Sequence, residues 1–301
     1  MTNDYGNLEL HEVLLSAMKD IDKICRENDL RYFLHAGTLL GAMNHKGFIP
    51  WDDDVDVCMP REDYDKLLEI GGECFQHPYF LQSAYSDVDY FRGHAQLRNS
   101  ETSAIRPSES YRKFNQGIFI DIFVLDGVPE DPETRRKLIA GIKRTYKVLK
   151  AENLNILYSG RWGQLFRKMK ARRQTASQGR ENIYRQTEER LREHSTEDCD
   201  SWAELSFSGD DIIFDKHIFD DTLYLDFADI KVPVPVGYDK FLRTQYGDDY
   251  MVPKQVPNYH GSLMFDIERS YKDVAPEVFK QYKKRSVRRL MEKIGFSRKA
   301  D

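Results

Sequence analysis

The chain of 301 residues is 40% hydrophobic and 12% aromatic, so it can bury a sizeable core as one large domain or two ordinary ones. Charged residues make up 32% and the formal net charge is −5, a balance that argues against a general nucleic-acid-binding protein. The sequence has no run of about 18 apolar residues, and its N-terminal residues lack the basic and apolar regions of a signal peptide. Neither a spanning helix nor a leader is therefore expected.

The four cysteines are widely separated and include no C-x-x-C pair. This spacing argues against a structural zinc site and against a disulfide framework. Because free thiols persist in reducing compartments, a cytoplasmic location is expected.

Residues 8–46 predict a helix, a short strand and a glycine-containing turn. Apolar side chains recur every three or four residues over 8–28, the pattern of an amphipathic helix. A strand at 31–34 leads into AGTLLGA, where Gly37 and Thr38 can offer backbone N–H groups and a hydroxyl to phosphate if Thr38 opens a helix. The turn alone is not specific, because it lacks the lysine of a P-loop and the third glycine of a dinucleotide fingerprint. Lys46 is a candidate phosphate contact, its alternative being an ordinary exposed lysine.

An acidic run, FIPWDDDVDVCM, follows at residues 48–59. Side-chain alternation on a strand predicts that Asp52, Asp54 and Asp56 share one face, with Asp53 where the strand begins and the valines facing a core. Carboxylates crowded on one face repel each other, and a hard divalent cation would offset that repulsion. We therefore predict that Asp54 and Asp56 bind Mg²⁺ or Mn²⁺ and that the glycine turn receives the phosphates of a nucleotide-activated donor.

Two other interpretations of the acidic run are open. Most acidic runs are solvated loops, but this one is embedded in apolar residues on both sides. The D-x-D-x-D spacing also occurs in calcium-binding EF-hand loops, which require glycine at the sixth position and glutamate at the twelfth. Val57 and Asp63 stand at those positions, so an EF-hand is disfavoured.

Residues 117–126, with the sequence GIFIDIFVLD, predict a buried strand around a single aspartate, Asp121. A buried charge needs a partner, which is either an arginine or the metal site already inferred. Asp126 is predicted to begin a turn.

A helix is predicted at residues 60–70, ended by two glycines at 71–72, with Arg61 close enough in sequence to pair with the aspartates. Another strand is predicted within 91–103, where Arg98 is a candidate phosphate donor.

The centre of the chain is strongly helical and basic. A helix is predicted at 132–152, and residues 160–177 place four apolar side chains on one helical face among many arginines and lysines: Trp162, Leu165, Phe166 and Met169. That pattern is typical of a helix on an anionic membrane surface, which would make the protein peripheral at the inner face of the membrane, or of a helix docked on the protein body. Strands and loops are predicted again at 202–236. A helix at 238–246, an irregular stretch at 248–260 and a basic tail at 278–299 are predicted after them.

Residues 34–59 closely resemble the LicD/fukutin family, whose hallmark is a GTLLGA turn followed by IPWDDD-x-D. The resemblance extends to the strand bearing Asp121 and to the YGDDY-x-x-P segment ending near His260. It implies an α/β (α+β) fold, a nucleotidyltransferase-like mixed sheet flanked by helices, with a helical insertion. The expected organisation is a catalytic core at 1–130, the insertion at 131–200, facing the acceptor or a membrane, and a C-terminal part at 201–301 that completes the core.

The resemblance also implies an activity and roles for the residues. The family transfers a phospho-alcohol, phosphocholine in its best-known bacterial members, from a CDP-activated donor to a hydroxyl of a surface glycan, lipid-linked oligosaccharide or teichoic acid precursor, releasing CMP. By motif alignment, Asp54 and Asp56 look like the metal-binding pair, with Asp52 beside them, and Asp121 looks like the third catalytic carboxylate.

The motif does not specify which alcohol is transferred, so phosphoglycerol, phosphoribitol and phosphoethanolamine remain alternatives. Two other classes also remain. A nucleotide-sugar glycosyltransferase with paired aspartates would release a nucleoside diphosphate, and a non-catalytic module would keep the ligands without turnover.

Overall fold

A computed structural model describes residues 6–156, 162–206, 212–252 and 263–293. Within these ranges the helices are α1 (Leu8–Glu27), α2 (Ala36–His45), α3 (Arg61–Cys74), α4 (Pro132–Glu152), α5 (Leu165–Gln178), α6 (Arg180–Arg192), α7 (Tyr238–Tyr246) and α8 (Tyr271–Lys293). The strands are β1 (Phe33–Leu34), β2 (Asp56–Pro60), β3 (Tyr79–Gln82), β4 (Ala95–Asn99), β5 (Ser103–Ile105), β6 (Ile118–Val128), β7 (Ser201–Ala203), β8 (Ile213–Asp215), β9 (Thr222–Phe227), β10 (Ile230–Pro235) and β11 (Met264–Asp266).

The main sheet is mixed and has the strand order β1-β2-β6-β4-β3, with β7 pairing β6 and β8 pairing β7. Strands β2 and β6 run parallel, whereas β6 and β4 run antiparallel. Two further antiparallel pairs, β9 with β10 and β5 with β11, lie outside this sheet. The predicted class, a mixed sheet flanked by helices, is confirmed.

The register of the central strands brings polar side chains together on one face of the sheet. Asp56 lies opposite Asp121 on the parallel neighbour, and Asp121 lies opposite Gln96 on the antiparallel one. Because residues in register point to the same side, all three side chains share a face. The flanking residues Ile120 and Ile122 point the other way into the main core, with which α1 packs.

Several predicted elements match closely, and two need correction. The helices expected at 8–28 and 132–152 are confirmed as α1 and α4. Strand β2, however, begins only at Asp56, so Asp52, Asp53 and Asp54 lie in the connection before it, where the Asp52 N–H donates to Ile49 O at 2.9 Å.

Helix α3 also continues through the two glycines expected to end it and runs to Cys74. The helix passes close over β3 at this point, because a Cβ on Gly71 would lie 2.2 Å from Leu81 Cδ2. The glycine therefore permits a close helix–sheet contact and does not serve as a stop signal.

A buried ion pair joins α3 to the end of β6. Arg61 Nε donates to Asp126 Oδ1 at 2.7 Å, and the side chains are 3% and 0% exposed. Two predictions are therefore wrong. Asp126 lies within the strand and not in a turn, and Arg61 pairs with Asp126 and not with the aspartates at 52–56. Glu188 of α6 lies 3.6 Å from Arg61 Nη1, so the same cluster connects the helical segment to the sheet.

The helices after β6 surround a second apolar core. Ile142, Tyr146 and Leu149 of α4 pack there with Ile183 and other residues of α6. Within the described ranges, no helix combines the length and the apolar composition that crossing a bilayer requires.

We predict that Arg61→Ala lowers the free energy of unfolding by about 3–5 kcal/mol, because it leaves Asp126 buried without its cation. Urea denaturation measures the change. The matched control is Arg31→Ala, since Arg31 is 52% exposed in its ion pair with Asp63 and should contribute about 0–1 kcal/mol. Equal losses in the two variants would contradict the importance of the buried pair.

Candidate active site

A cavity of about 690 Å³ lies on the polar face of the sheet. Its wall includes four of the predicted carboxylates, which come from the 52–54 connection and from β2 and β6: Asp52, Asp54, Asp56 and Asp121. The fold thus brings together aspartates that are far apart in the sequence. Aromatic side chains, among them Trp51, Phe119 and Phe214, supply much of the remaining wall.

Negative charge is concentrated at one end of this cavity. One carboxylate oxygen from each of Asp52, Asp53 and Asp54 lies within 4.8 Å of the others, close enough to share a cation. Burial raises the pKa of Asp56 well above its ordinary value, and the carboxylates of Asp54 and Asp121 raise it further. A hard divalent cation would offset this repulsion with the oxygen ligands it prefers, so the carboxylates of Asp52, Asp53 and Asp54 fit Mg²⁺ or Mn²⁺. Asp56 and Asp121 line the same cavity but do not belong to this close group.

The carboxylate of Asp121 is held in place by residues of β4 and the segment before it. Gln96 Nε2 donates to Oδ1 of Asp121, and His94 Nε2 lies 2.8 Å from the same oxygen. Arg98 then donates through Nη2 to Gln96 Oε1, so three side chains form a relay that ends at Asp121. Side-chain nitrogens of His94 and Gln96 thus stabilise the buried carboxylate of Asp121.

The 52–54 connection is anchored by the N-terminal helix. His11 Nε2 lies 2.8 Å from Asp52 O, and Asn7 Nδ2 donates to the same carbonyl at 3.0 Å. The ring of His11 stacks on Phe48 at 4.2 Å between centroids, and burial lowers its pKa. A neutral imidazole with its proton on Nε2 can donate the bond to Asp52, which fixes the backbone beneath the acidic cluster.

The turn residues occupy the expected region but have different contacts. Gly37 lies in the first turn of α2 and lines the cavity, directly beneath the Asp52 carboxylate. Thr38 is buried, and its Oγ1 accepts the backbone N–H of Asp56 at 2.8 Å. The Thr38 side chain thus ties α2 to β2 and is not part of the cavity wall, contrary to the expectation that its hydroxyl faces phosphate.

Two predicted phosphate contacts are not placed as expected. Lys46 is exposed at the C-terminal end of α2, about 13 Å along the helix from Gly37. Arg98 borders the cavity, but its nitrogens donate inward to Gln82, Gly117 and Gln96. His260 lies outside the described residues.

Sequence reasoning missed several residues of the cavity. Glu204 enters after β7 and bonds to His35, and Arg92 and Arg106 line the wall beyond Asp121. The polar residues of β4 had a detectable signal, since positions 94, 96 and 98 alternate with small or apolar ones. Glu204 and the two arginines had none, because only tertiary packing brings their segments to the cavity.

Comparisons with known proteins define the class of this core. Residues 29–126 match the model of the LicD/FKTN/FKRP nucleotidyltransferase domain. This region carries the α2 turn, the acidic connection and the central strands. Over this region the chain is similar to the LicD family, in agreement with the resemblance seen in the sequence.

Individual relatives match over a similar length of chain. The chain is 33% identical over 122 residues to the lipopolysaccharide cholinephosphotransferase LicD of Haemophilus influenzae, covering 40% of this chain and 44% of that protein. It is 32% identical over 117 residues to an uncharacterised protein of Rickettsia prowazekii, covering 39% and 40% of the two chains. The matches thus span less than half the length of these relatives.

We predict that Gly37→Ala weakens divalent-cation binding roughly tenfold while the fold persists. A Cβ at this position would lie 2.8 Å from Asp52 Oδ2, and that carboxylate can move aside because it ends a flexible side chain. Titration calorimetry with Mn²⁺ measures the affinity. Gly72→Ala is the control, since a Cβ there meets no atom within 4 Å; equal Mn²⁺ affinity in both variants would contradict the role of Gly37.

Proposed function

We propose that this protein is a metal-dependent transferase that moves a phospho-alcohol, most simply phosphocholine, from a CDP-activated donor to a hydroxyl of a surface glycan or teichoic acid precursor. The proposal is carried by one observation: Asp54, Asp56 and Asp121 line a single cavity within a LicD-family nucleotidyltransferase domain. The name of the Haemophilus influenzae relative, a lipopolysaccharide cholinephosphotransferase, supports both the transferred group and a glycan acceptor.

The reaction breaks one phosphorus–oxygen bond and forms another. The acceptor hydroxyl oxygen attacks the phosphorus that bears the alcohol, the bond to the bridging oxygen breaks, and CMP leaves with the electron pair. The hydroxyl proton passes to a base or to solvent. Mg²⁺ held by Asp54, Asp56 and Asp121 would neutralise the pyrophosphate and stabilise the leaving group.

The contacts of Asp121 favour ligation over proton transfer. Its Oδ1 is engaged by His94 and Gln96, and its backbone N–H donates to Val55 O at 2.9 Å. A carboxylate fixed in this way presents negative charge at a constant position, which suits a cation better than a mobile proton. Asp54 lines the same cavity from the connection before β2.

An exposed face of α5 suggests how the protein reaches a lipid-linked acceptor. The helix packs inward through Ala171 and Thr175, whereas Leu165, Phe166 and Met169 are 43%, 81% and 60% exposed. The alternative in which these three side chains dock on the protein body is therefore wrong; the side chain of Trp162 is not described.

Exposed basic residues accompany them on the same helix: Arg167, Lys170, Arg172 and Arg173. Apolar insertion with basic neighbours suits an anionic bilayer surface.

We predict that Asp56→Asn and Asp121→Asn each lower CMP release by about a hundredfold or more, because each removes a charged ligand. The assay offers CDP-choline, CDP-glycerol, CDP-ribitol and CDP-ethanolamine with Mg²⁺, and EDTA should abolish the wild-type signal. Asp229→Asn, an exposed change far from the cavity, is the control. Wild-type turnover in either variant, or activity in EDTA, would refute metal dependence, and release of a nucleoside diphosphate from a sugar donor would indicate a glycosyltransferase.

We predict that the double variant Phe166→Asp, Met169→Asp loses binding to anionic vesicles by at least about tenfold, because it places charge on the face that would enter the bilayer. Co-sedimentation with phosphatidylglycerol–phosphatidylcholine vesicles measures binding, and phosphatidylcholine alone tests the charge requirement. The control is Val88→Asp, at a position 91% exposed outside this helix. Undiminished binding by the double variant would assign the contact elsewhere.

A further inference from the structure

The cavity has a basic side that the proposed metal site does not use. Arg92 and Arg106 both line its wall, and Glu109 lies between them. Arg92 Nη2 donates to Glu109 Oε2 at 3.2 Å, while Arg106 Nη1 lies 3.8 Å from Glu109 Oε1. Two guanidinium groups therefore meet the carboxylate of Glu109 in the cavity wall.

The guanidinium of Arg92 is held in place by aromatic rings and is incompletely satisfied. It lies 5.4 Å from the ring centroid of Phe91 and 5.9 Å from that of Phe114. Its Nη1 is buried and has no hydrogen-bond partner within the part of the chain that the structure describes. A buried guanidinium nitrogen without an acceptor is costly, so an arrangement that keeps one invites an anionic ligand.

The charge of Arg92 also acts on a neighbouring arginine. Burial, together with the charge of Arg92, lowers the pKa of Arg98 to about 10. Arg92 also stands two residues before His94, which contacts Asp121, so the basic side adjoins the predicted cation-binding side. A molecule bound along the cavity would meet a cation at one end and guanidinium groups at the other.

We propose that Arg92 and Arg106 form a phosphate-binding arm, by which we mean this pair of guanidinium groups in the cavity wall. Glu109 is their internal counter-ion, and its carboxylate is displaced when phosphate binds. This inference rests on the proposed function and deepens it. A diphosphate presents two anionic groups, and planar guanidinium groups match phosphate oxygens in geometry as well as charge. The phosphate comes either from the donor diphosphate or from a phosphorylated acceptor.

Calorimetric titrations with CDP in Mg²⁺, and with inorganic phosphate both without CDP and at saturating CDP, test the arm. Arg106→Gln and Arg92→Gln should each weaken binding of one of these probes by about tenfold or more. Glu109→Gln should strengthen binding of the same probe, because it removes the competing carboxylate. Arg112→Gln is the control: Arg112 stacks on Phe91 and donates to Asn153 O, but it does not line the cavity.

The outcomes separate the sources and the two proposals. Loss of CDP binding identifies the donor diphosphate, and loss of phosphate binding alone identifies an acceptor phosphate. If the wild-type protein fails to bind CDP but binds inorganic phosphate through both arginines, the phosphate-binding arm is supported. The proposal of a CDP-activated donor is then refuted. If both arginine variants keep wild-type affinity for both probes, or if Glu109→Gln weakens binding in a protein with an unchanged melting temperature, the arm is refuted.

Discussion

Repulsion between carboxylates held in strand register is the constraint on which this structure depends. Asp56 and Asp121 lie side by side on adjacent parallel strands, where the backbone hydrogen bonds prevent them from moving apart. The opposite face of the same strands is apolar and fully buried, so a shift in register would place charge in the core. Burial raises the pKa of Asp56, and the neighbouring carboxylates raise it further. This concentration of acidic groups favours cation binding.

The surrounding contacts fix the carboxylates from several directions. A relay from Arg98 through Gln96 reaches Asp121, and His11 of α1 holds the backbone of Asp52. Thr38 connects the beginning of α2 to the beginning of β2. Because each of these contacts joins different elements, the site is assembled by the packing of the whole core. Such preorganisation lets a site stabilise charge with little rearrangement when substrate binds.

The helical segment after β6 is coupled to this core by buried charge. Arg61, Asp126 and Glu188 meet at the junction of α3, β6 and α6. Removing one member would leave another charge unpaired in a dry environment, so the junction resists separation. The same segment carries the exposed apolar face of α5, and the junction would thereby hold that face in a constant position relative to the cavity.

The sequence by itself determined the elements with local signals. Apolar periodicity defined α1, and a strongly helical and basic stretch defined α4. The long apolar run defined β6 around Asp121, and the combined motif of glycine turn and acidic run indicated a resemblance to the LicD family. Those features follow from side-chain spacing along one segment, which a single sequence displays directly.

Only the tertiary structure decided which side chains meet in the cavity. Asp52 and Asp54 lie in the connection before β2, where the carbonyl of Asp52 contacts His11 of α1. Arg98 points inward because its acceptors lie on three separate segments. Glu204, Arg92 and Arg106 reached the wall through contacts that no local pattern encodes. The physical reason is that strand pairing and ion pairing join residues distant in the chain, and their partners are chosen by packing and not by neighbouring sequence.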